Sequence, residues 1–541
     1  NGGTAVGGQY TGGLIGRNNA GATANEVFST GGVTGSAYGV GGLVGENNGS
    51  IVDAYATGAV SGTSGCYCYT GGLAGSNSGT LQNVYATGAV VNGVVVGGLV
   101  GSQTGGSIGN GYWDSYSTGQ GSAFGSSASG SLTNILSVTS DPSQAGAANY
   151  AYKASAYANL AAVAGIGTAT PTGFVFLAGN STRPFLAFEV PTSFTTTTDS
   201  SGRLLISNSH QLQLIGYDQA RLSGSYSLAG NIDLTETGAV VAGTPGSYSG
   251  MWASTGFVPI GTDGLGNVWN GTGHVLLANI SSGTYGFTGT LNGNGFTLSN
   301  LSINRPSIKN VGLFGLSSGT LSNINMSGAV SGLNGVGGLV GMLYSGGSVS
   351  GSNSAVNVTG NNLVGGLVGN QSDGSSITRS SASGTVSGAN NVGGLVGYAS
   401  GATITRSFAT GRVAGANYVG GLVGYQYNST TANSYATGQV GASTNTAGGL
   451  IGYLYGGSLA NSYSTGLVSG PRGAGGLIGQ KANGATVTSS YWNILTSGQT
   501  ASAGGAGLII TQMQSPISYA GWDFVTIWNA PGAGAYPTLR P

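Results

Sequence analysis

The sequence predicts an all-β fold, a parallel β-solenoid built from coils of 26–30 residues. Three observations lead there. The first is a five-residue core, Gly393-Gly394-Leu395-Val396-Gly397, that returns along the chain with small variations. Its leucine stands at Leu14, Leu43, Leu73 and Leu99, then at Leu313, Leu339, Leu367, Leu395, Leu422, Leu450 and Leu477. The steps are 29, 30 and 26 residues in the first set and 26, 28, 28, 27, 28 and 27 in the second. A fixed period of this size marks a stack of equal units. The second observation is a half-motif ending in Thr-Gly, as in Tyr55-Ala56-Thr57-Gly58 and Tyr85-Ala86-Thr87-Gly88. The third is negative: no window carries a convincing 3.6-residue period, while glycine supplies 109 of 541 residues without the every-third spacing of collagen.

Each element of a coil follows from its residues. The run around Gly-Gly-Leu-Val-Gly reads as an apolar strand with tight punctuation. The stretch Ser50-Ile51-Val52-Asp53-Ala54-Tyr55 alternates, which places one face inward and one outward. Three short strands per coil are expected, with glycines adopting positive φ at the corners. Parallel stacking sets each leucine above the last at a step of about 4.8 Å. The resulting aliphatic ladder is the expected source of stability, because one coil alone cannot bury its apolar face. Tyr55, Tyr85, Phe408, Tyr435 and Tyr463 repeat at one site, either as a column packed into a corner or as an exposed sugar-binding stripe. Thr30, Thr57, Thr87, Thr410, Thr437 and Thr465 repeat beside them, where threonine before glycine closes a strand.

In chain order, residues 1–111 form a first array that opens inside a repeat, as expected of a section of a longer or processed chain. Residues 112–194 break the period. They begin Tyr112-Trp113-Asp114, include an alanine-rich helix candidate over Ser143–Ala164 and end near Arg183-Pro184-Phe185-Leu186. Residues 195–310 read as degenerate opening coils of short strands, among them Leu204-Leu205-Ile206 and Gln211-Leu212-Gln213-Leu214-Ile215. The regular array resumes over 311–490. Residues 491–541 then repeat the first interruption, with Tyr491-Trp492-Asn493 and Tyr536-Pro537-Thr538-Leu539. Two copies of an array followed by a cap-like segment result.

Composition narrows the function. Only 5% of residues are charged, 13 basic against 13 acidic, so no basic stripe exists to attract nucleic acid. No apolar run approaches the ~18–20 residues of a membrane helix. Cys66 and Cys68, with no histidine near them, suit a local disulfide or two free thiols better than a metal site. No cofactor is expected. The 13 carboxylates are scattered; Asp233 and Glu236 are close in sequence, where Asp233 suits a turn cap. Glu26 and Asp53 lie one coil apart and are expected as two solvated side chains. His210 and His274 are the only histidines, too far apart to build a Ser-His-Asp set. A non-enzymatic chain is expected, with no catalytic and no metal residue assigned.

The Gly-Gly-Leu-Val-Gly core, the Ser-Tyr-Ala-Thr-Gly half-motif and the opening segment containing Phe257-Val258-Pro259-Ile260-Gly261 and Phe287-Thr288-Gly289-Thr290-Leu291 resemble GLUG-motif repeats. Such repeats occur in filamentous-haemagglutinin-like adhesins of the two-partner secretion type and in bacterial IgA-cleaving metallopeptidases. The resemblance spans nearly the whole chain and implies a right-handed parallel β-helix on an exported bacterial protein. The expected place is outside the cell or on its surface, as an adhesin shaft or a filament subunit associating with itself end to end or side by side. Host or matrix glycans are the other expected partner, with a carbohydrate-cleaving β-helix as the rival reading. The peptidases' His-Glu-x-x-His zinc motif is absent from this sequence.

Overall fold

The structure, a computed structural model, describes residues 3–126, 128–238, 250–269, 274–276, 285–532 and 534–541. It is 47% strand and 7% helix, with parallel coils amounting to a β-solenoid of about 16 turns. The chain divides into two compact units: Asn1–Thr197 with Glu236–Gly256, and Thr198–Thr235 with Phe257–Pro541.

In the first unit each coil crosses three parallel sheets, as in Val33–Gly41, Val44–Asn47 and Ser50–Ala56. Register is strict: Ile51, Leu81 and Ile108 align, as do Val44, Ala74 and Val100. The stack continues past residue 111, since Ser131–Val138 pairs in parallel with Ser107–Asp114. In the second unit the third strand is split, so a typical coil runs Asn417–Gly420, Val423–Tyr427, Thr430–Ala432, Tyr435–Ala436 and Val440–Ala442.

Within each unit the repeated leucines form a column, with amides bonding one coil onward: Leu43 to Leu73 and Leu73 to Leu99 in the first, Leu395 to Leu422 and Leu422 to Leu450 in the second. Ten of the eleven are fully buried. Leu14 is not; it is 52% exposed, because it stands on the first coil with a leucine neighbour on one side only.

The expectation of positive φ holds for the turn glycines between the second and third strands, such as Gly346, Gly374, Gly401 and Gly484, but not for the glycines of the Gly-Gly-Leu-Val-Gly core. Gly393, Gly394 and Gly397 do not occupy the left-handed region; they are required by close approach. A Cβ on Gly394 would sit 2.1 Å from the Gly421 carbonyl oxygen, and one on Gly397 would sit 2.4 Å from the Val364 nitrogen. Backbone meets backbone at this corner with no room for a methyl group. Further left-handed positions, at the bend in the third strand, carry residues other than glycine: Glu26, Asp53, Asn83, Asn110 and Asn134 in the first unit, and Arg406, Asn433 and Asn461 in the second, all with φ near +50°. Asparagine tolerates that region well.

Two sets of inward polar groups are satisfied by repetition. The amides of Ser352, Ser380, Ser407, Ser434 and Ser462 each donate to the hydroxyl of the equivalent serine one coil on, at 3.1–3.2 Å. In the first unit the side chains of Asn18, Asn47 and Asn77 donate along a buried column that ends on Gln103. A buried polar group without a partner would be costly, and the repeat supplies one in each neighbouring coil.

Two secondary-structure expectations fail. Ser143–Ala164 is not an α-helix but holds two short 3-10 turns, Pro142–Gln144 and Ala154–Tyr157. Tyr157 is buried there with its ring 5.2 Å from Tyr112. Conversely, Gln211–Ile215 is no strand. Ser209–Leu214 is helical, with the Asn208 side chain accepting from the Gln211 amide at 2.9 Å, and Leu212, Leu214 and Ile215 are buried. The cap outweighed the alternating pattern.

Candidate functional site

The five repeated aromatics are packed columns rather than open stripes. Tyr55 and Tyr85 stack with centroids 4.9 Å apart, Phe408 and Tyr435 at 4.8 Å, and Tyr435 and Tyr463 at 5.1 Å. The non-repetitive segments lie over them. Tyr55 donates to Glu189, and Tyr85 donates to the Pro184 carbonyl at 2.7 Å. Tyr463 donates to the Pro537 carbonyl at the same distance, beneath Trp522 and Trp528. Tyr55, Tyr85 and Tyr463 are closed to a sugar. Thr57 and Thr87 are buried as well, which leaves no open threonine face there.

Other candidates resolve locally. Cys66 and Cys68 form a disulfide with Cα atoms 5.2 Å apart. Asp233 caps a turn by accepting from the Thr235 amide at 3.0 Å. His210 is buried in the short helix after Asn208, and His274 pairs through its backbone with Trp269. Among the described residues no group of three or more His, Cys, Asp and Glu is placed to hold a metal ion, and no helix is long and apolar enough to cross a membrane.

Glu26 and Asp53 depart from expectation. They are not two solvated side chains: both accept from the Gly173 amide, at 2.6 and 3.3 Å, and Asp53 is buried. Asp53 also ends a column in which the side chains of Asn134, Asn110 and Asn83 each donate one coil back at 2.8 Å. Burial, opposed by the Gly173 amide and reinforced by the Asp53 charge, lifts the Glu26 carboxyl to about 8. The pair therefore holds a proton at neutral pH while packed under residue 173.

The exposed chemistry lies elsewhere, on the Gly-Gly-Leu corner of the second unit. Tyr398, Tyr425 and Tyr453 occupy one outward register position in three successive coils, and Tyr427 and Tyr455 occupy another. Tyr425 stacks on Tyr453 at 4.8 Å and Tyr427 on Tyr455 at 5.3 Å. The two pairs stand nearly at right angles, at 82° and 86°. Tyr418, from the strand before the corner, reaches across to Tyr453 at 5.2 Å. Glycine makes that reach possible: a Cβ on Gly452 would lie 2.6 Å from the Tyr418 carbonyl carbon. Burial, then the Tyr453 and Tyr398 neighbours, raises the Tyr425 phenol to about 12, so it remains a protonated donor.

Four stretches of the chain, residues 36–61, 360–387, 388–414 and 415–441, match a known sequence family described as the GLUG motif. Those four stretches are GLUG-motif repeats. Halomucin from Haloquadratum walsbyi is 37% identical over 103 residues, covering 14% of this chain and 1% of that protein. The chain thus spans a very small part of the relative it matches. A solved structure from Bacteroides ovatus, described as a candidate immunoglobulin A1 protease, overlaps with TM-score 0.34 and 15% identity over 64% of this chain and 94% of that one. An overlap that weak bears on nothing further.

Within GLUG coils the tyrosine cluster was legible only in part. Tyr398, Tyr425 and Tyr453 follow the core glycine directly, at steps of 27 and 28 residues, a periodicity as clear as that of the leucines. Tyr418 was not legible, because its partner lies in the next coil on a different sheet. The corresponding GLUG corner of the first unit also carries aromatics. Tyr10 stacks on Tyr38 at 5.6 Å, and Arg17 lies over Tyr10 and pairs with Glu46.

Proposed function

We propose that this chain is a non-enzymatic structural section of an extracellular or cell-surface protein, a stack of GLUG coils that sets spacing and presents its outer faces. One observation carries this reading: the recurring inward polar side chains, and the one carboxylate pair brought together between adjacent coils, bond within the stack and to the segments packed on it. The serine column, the two asparagine columns and the Glu26–Asp53 pair all bond within the stack. Catalysis by paired acids needs a carboxylate free to meet substrate. Here Asp53 is held from both sides, by Asn83 and by Gly173. Near-absent charge suits a spacer that must not repel its surroundings.

Negative-stain electron microscopy over a dilution series, together with viscometry of polysaccharide solutions, tests the proposal. The expected outcome is discrete particles of constant dimensions and unchanged viscosity. Fibres that lengthen with concentration would make the chain a filament subunit instead. A fall in viscosity would make it a depolymerising enzyme.

A further inference from the structure

We infer that the tyrosine cluster on the second unit's GLUG corner is a binding site for neutral polysaccharide. Three features of the cluster converge on that ligand. The first is shape: the Tyr425–Tyr453 and Tyr427–Tyr455 pairs are two aromatic walls at nearly a right angle, and Tyr418 closes one side. Flat rings of this kind receive the C–H face of a pyranose, while phenol hydroxyls at their rim reach its hydroxyl groups. The second is repetition. The rings recur with the coil, at 4.8 Å for Tyr425–Tyr453 and 5.3 Å for Tyr427–Tyr455, so a chain of similar sugar units running along the stack meets the same surface at each step.

The third feature is charge. Cations over aromatic rings among the described residues are Arg17 on Tyr10 and Arg183 on Tyr152, both in the first unit. Neither lies over a second-unit ring; Lys481, in the next coil of the same sheet, pairs in register with buried Leu454 and is a single charge rather than a track, and the Tyr425 phenol stays neutral up to about 12. A nucleic-acid strand would need a cationic track beside the stacking rings, and an acidic polysaccharide would need basic groups. An uncharged glycan needs neither. Partial burial of Tyr398, Tyr418, Tyr425, Tyr453 and Tyr455 holds their rings in place before a ligand arrives, which lowers the ordering cost of binding.

This inference deepens the structural reading without requiring it. The test is affinity electrophoresis of the full chain through native gels containing hydroxyethylcellulose, galactomannan, arabinoxylan or pullulan, with alginate as the acidic comparator. Retardation is expected in at least one neutral gel and not in alginate. The double variant Tyr425→Ala/Tyr453→Ala is expected to bind roughly tenfold or more weakly. Tyr67→Ala, at a tyrosine exposed in the first unit, is expected to leave retardation unchanged. Unchanged melting of the double variant shows that the loss is local; if it misfolds, Tyr427→Ser/Tyr455→Ser serves in its place. Free mobility in every neutral gel, equal retardation of the variants, or stronger retardation in alginate would overturn the site. So would a tyrosine-dependent self-association that accounts for the slowed band. Release of reducing ends from a bound polysaccharide would sink the structural reading and leave the binding site standing.

Discussion

The Tyr85 hydroxyl donates to the Pro184 carbonyl at 2.7 Å, ninety-nine residues away in the chain. The second unit repeats this bond between Tyr463 and Pro537. Around each pair the surroundings also repeat: the Trp113 indole donates to the Gln120 carbonyl and the Trp492 indole to the Gln499 carbonyl. The aromatic column and the segment laid over it are therefore one module, present twice.

From that module, Tyr463→Phe is expected to destabilise the closing segment by about 1–2 kcal/mol, since it removes a buried bond and leaves the Pro537 oxygen unmet. Tyr463→Ala is expected to cost about 3–5 kcal/mol through the cavity it opens. Trp522 and Trp528 contact the Tyr463 ring, so tryptophan fluorescence in a urea titration reads this segment directly.

One matched pair differs in charge between the two modules. In the first, Arg183 and Asp114 form a fully buried ion pair. In the second, the matching positions carry Tyr536 and Asn493, joined by a neutral 2.9 Å bond. Arg183→Met is expected to cost about 3–5 kcal/mol, because Asp114 is left charged and buried. Asp114→Asn combined with Arg183→Tyr, which copies the second module, is expected to restore more than half of that loss in thermal or urea unfolding.

The Glu26 carboxyl titrates near 8 in the fold against an ordinary value of 4.5. A raised carboxyl holds its proton in the fold while the unfolded chain has already lost it, so stability falls as pH rises between these values and levels off above 8. The melting temperature is expected to drop by roughly a few degrees between pH 5 and pH 8. Glu26→Gln, which cannot ionise, is expected to remove that part of the slope. A slope that persists in the variant would assign it to other groups.

The core glycines should differ sharply from the turn glycines. Gly394→Ala places a methyl group 2.1 Å from the Gly421 oxygen, and backbone must move. A cost of about 4 kcal/mol or more, or insoluble protein, is expected. Gly374→Ala meets nothing within 4 Å and is strained only by its φ of +75°, so a cost of about 1 kcal/mol is expected. Melting of the soluble variants separates the two.

Much of this architecture was legible in the sequence, for a definite reason. Leu395 and its equivalents recur every 26–30 residues because each coil must cover the next, and a periodic demand leaves a periodic trace. Tyr398, Tyr425 and Tyr453 left the same trace. The alternation in Gln211–Ile215 misled because it suits a strand as readily as a short helix, and the choice rested with Asn208. Gly394 and Gly374 are alike in sequence but not in role, because sequence does not reveal whether a glycine serves a close contact or a torsion angle.

By itself the sequence determined the coil, its period, its leucine column and its low charge, all of which follow from local pattern and composition. The tertiary structure alone decided which side chains are open. It buried Tyr55, Tyr85 and Tyr463 under segments 99 to 134 and 74 residues distant, joined Glu26 to Asp53 through Gly173, and left the Tyr425 corner uncovered. Those contacts depend on where a non-repeating segment lands on a repeating one, and no period in the sequence encodes that landing.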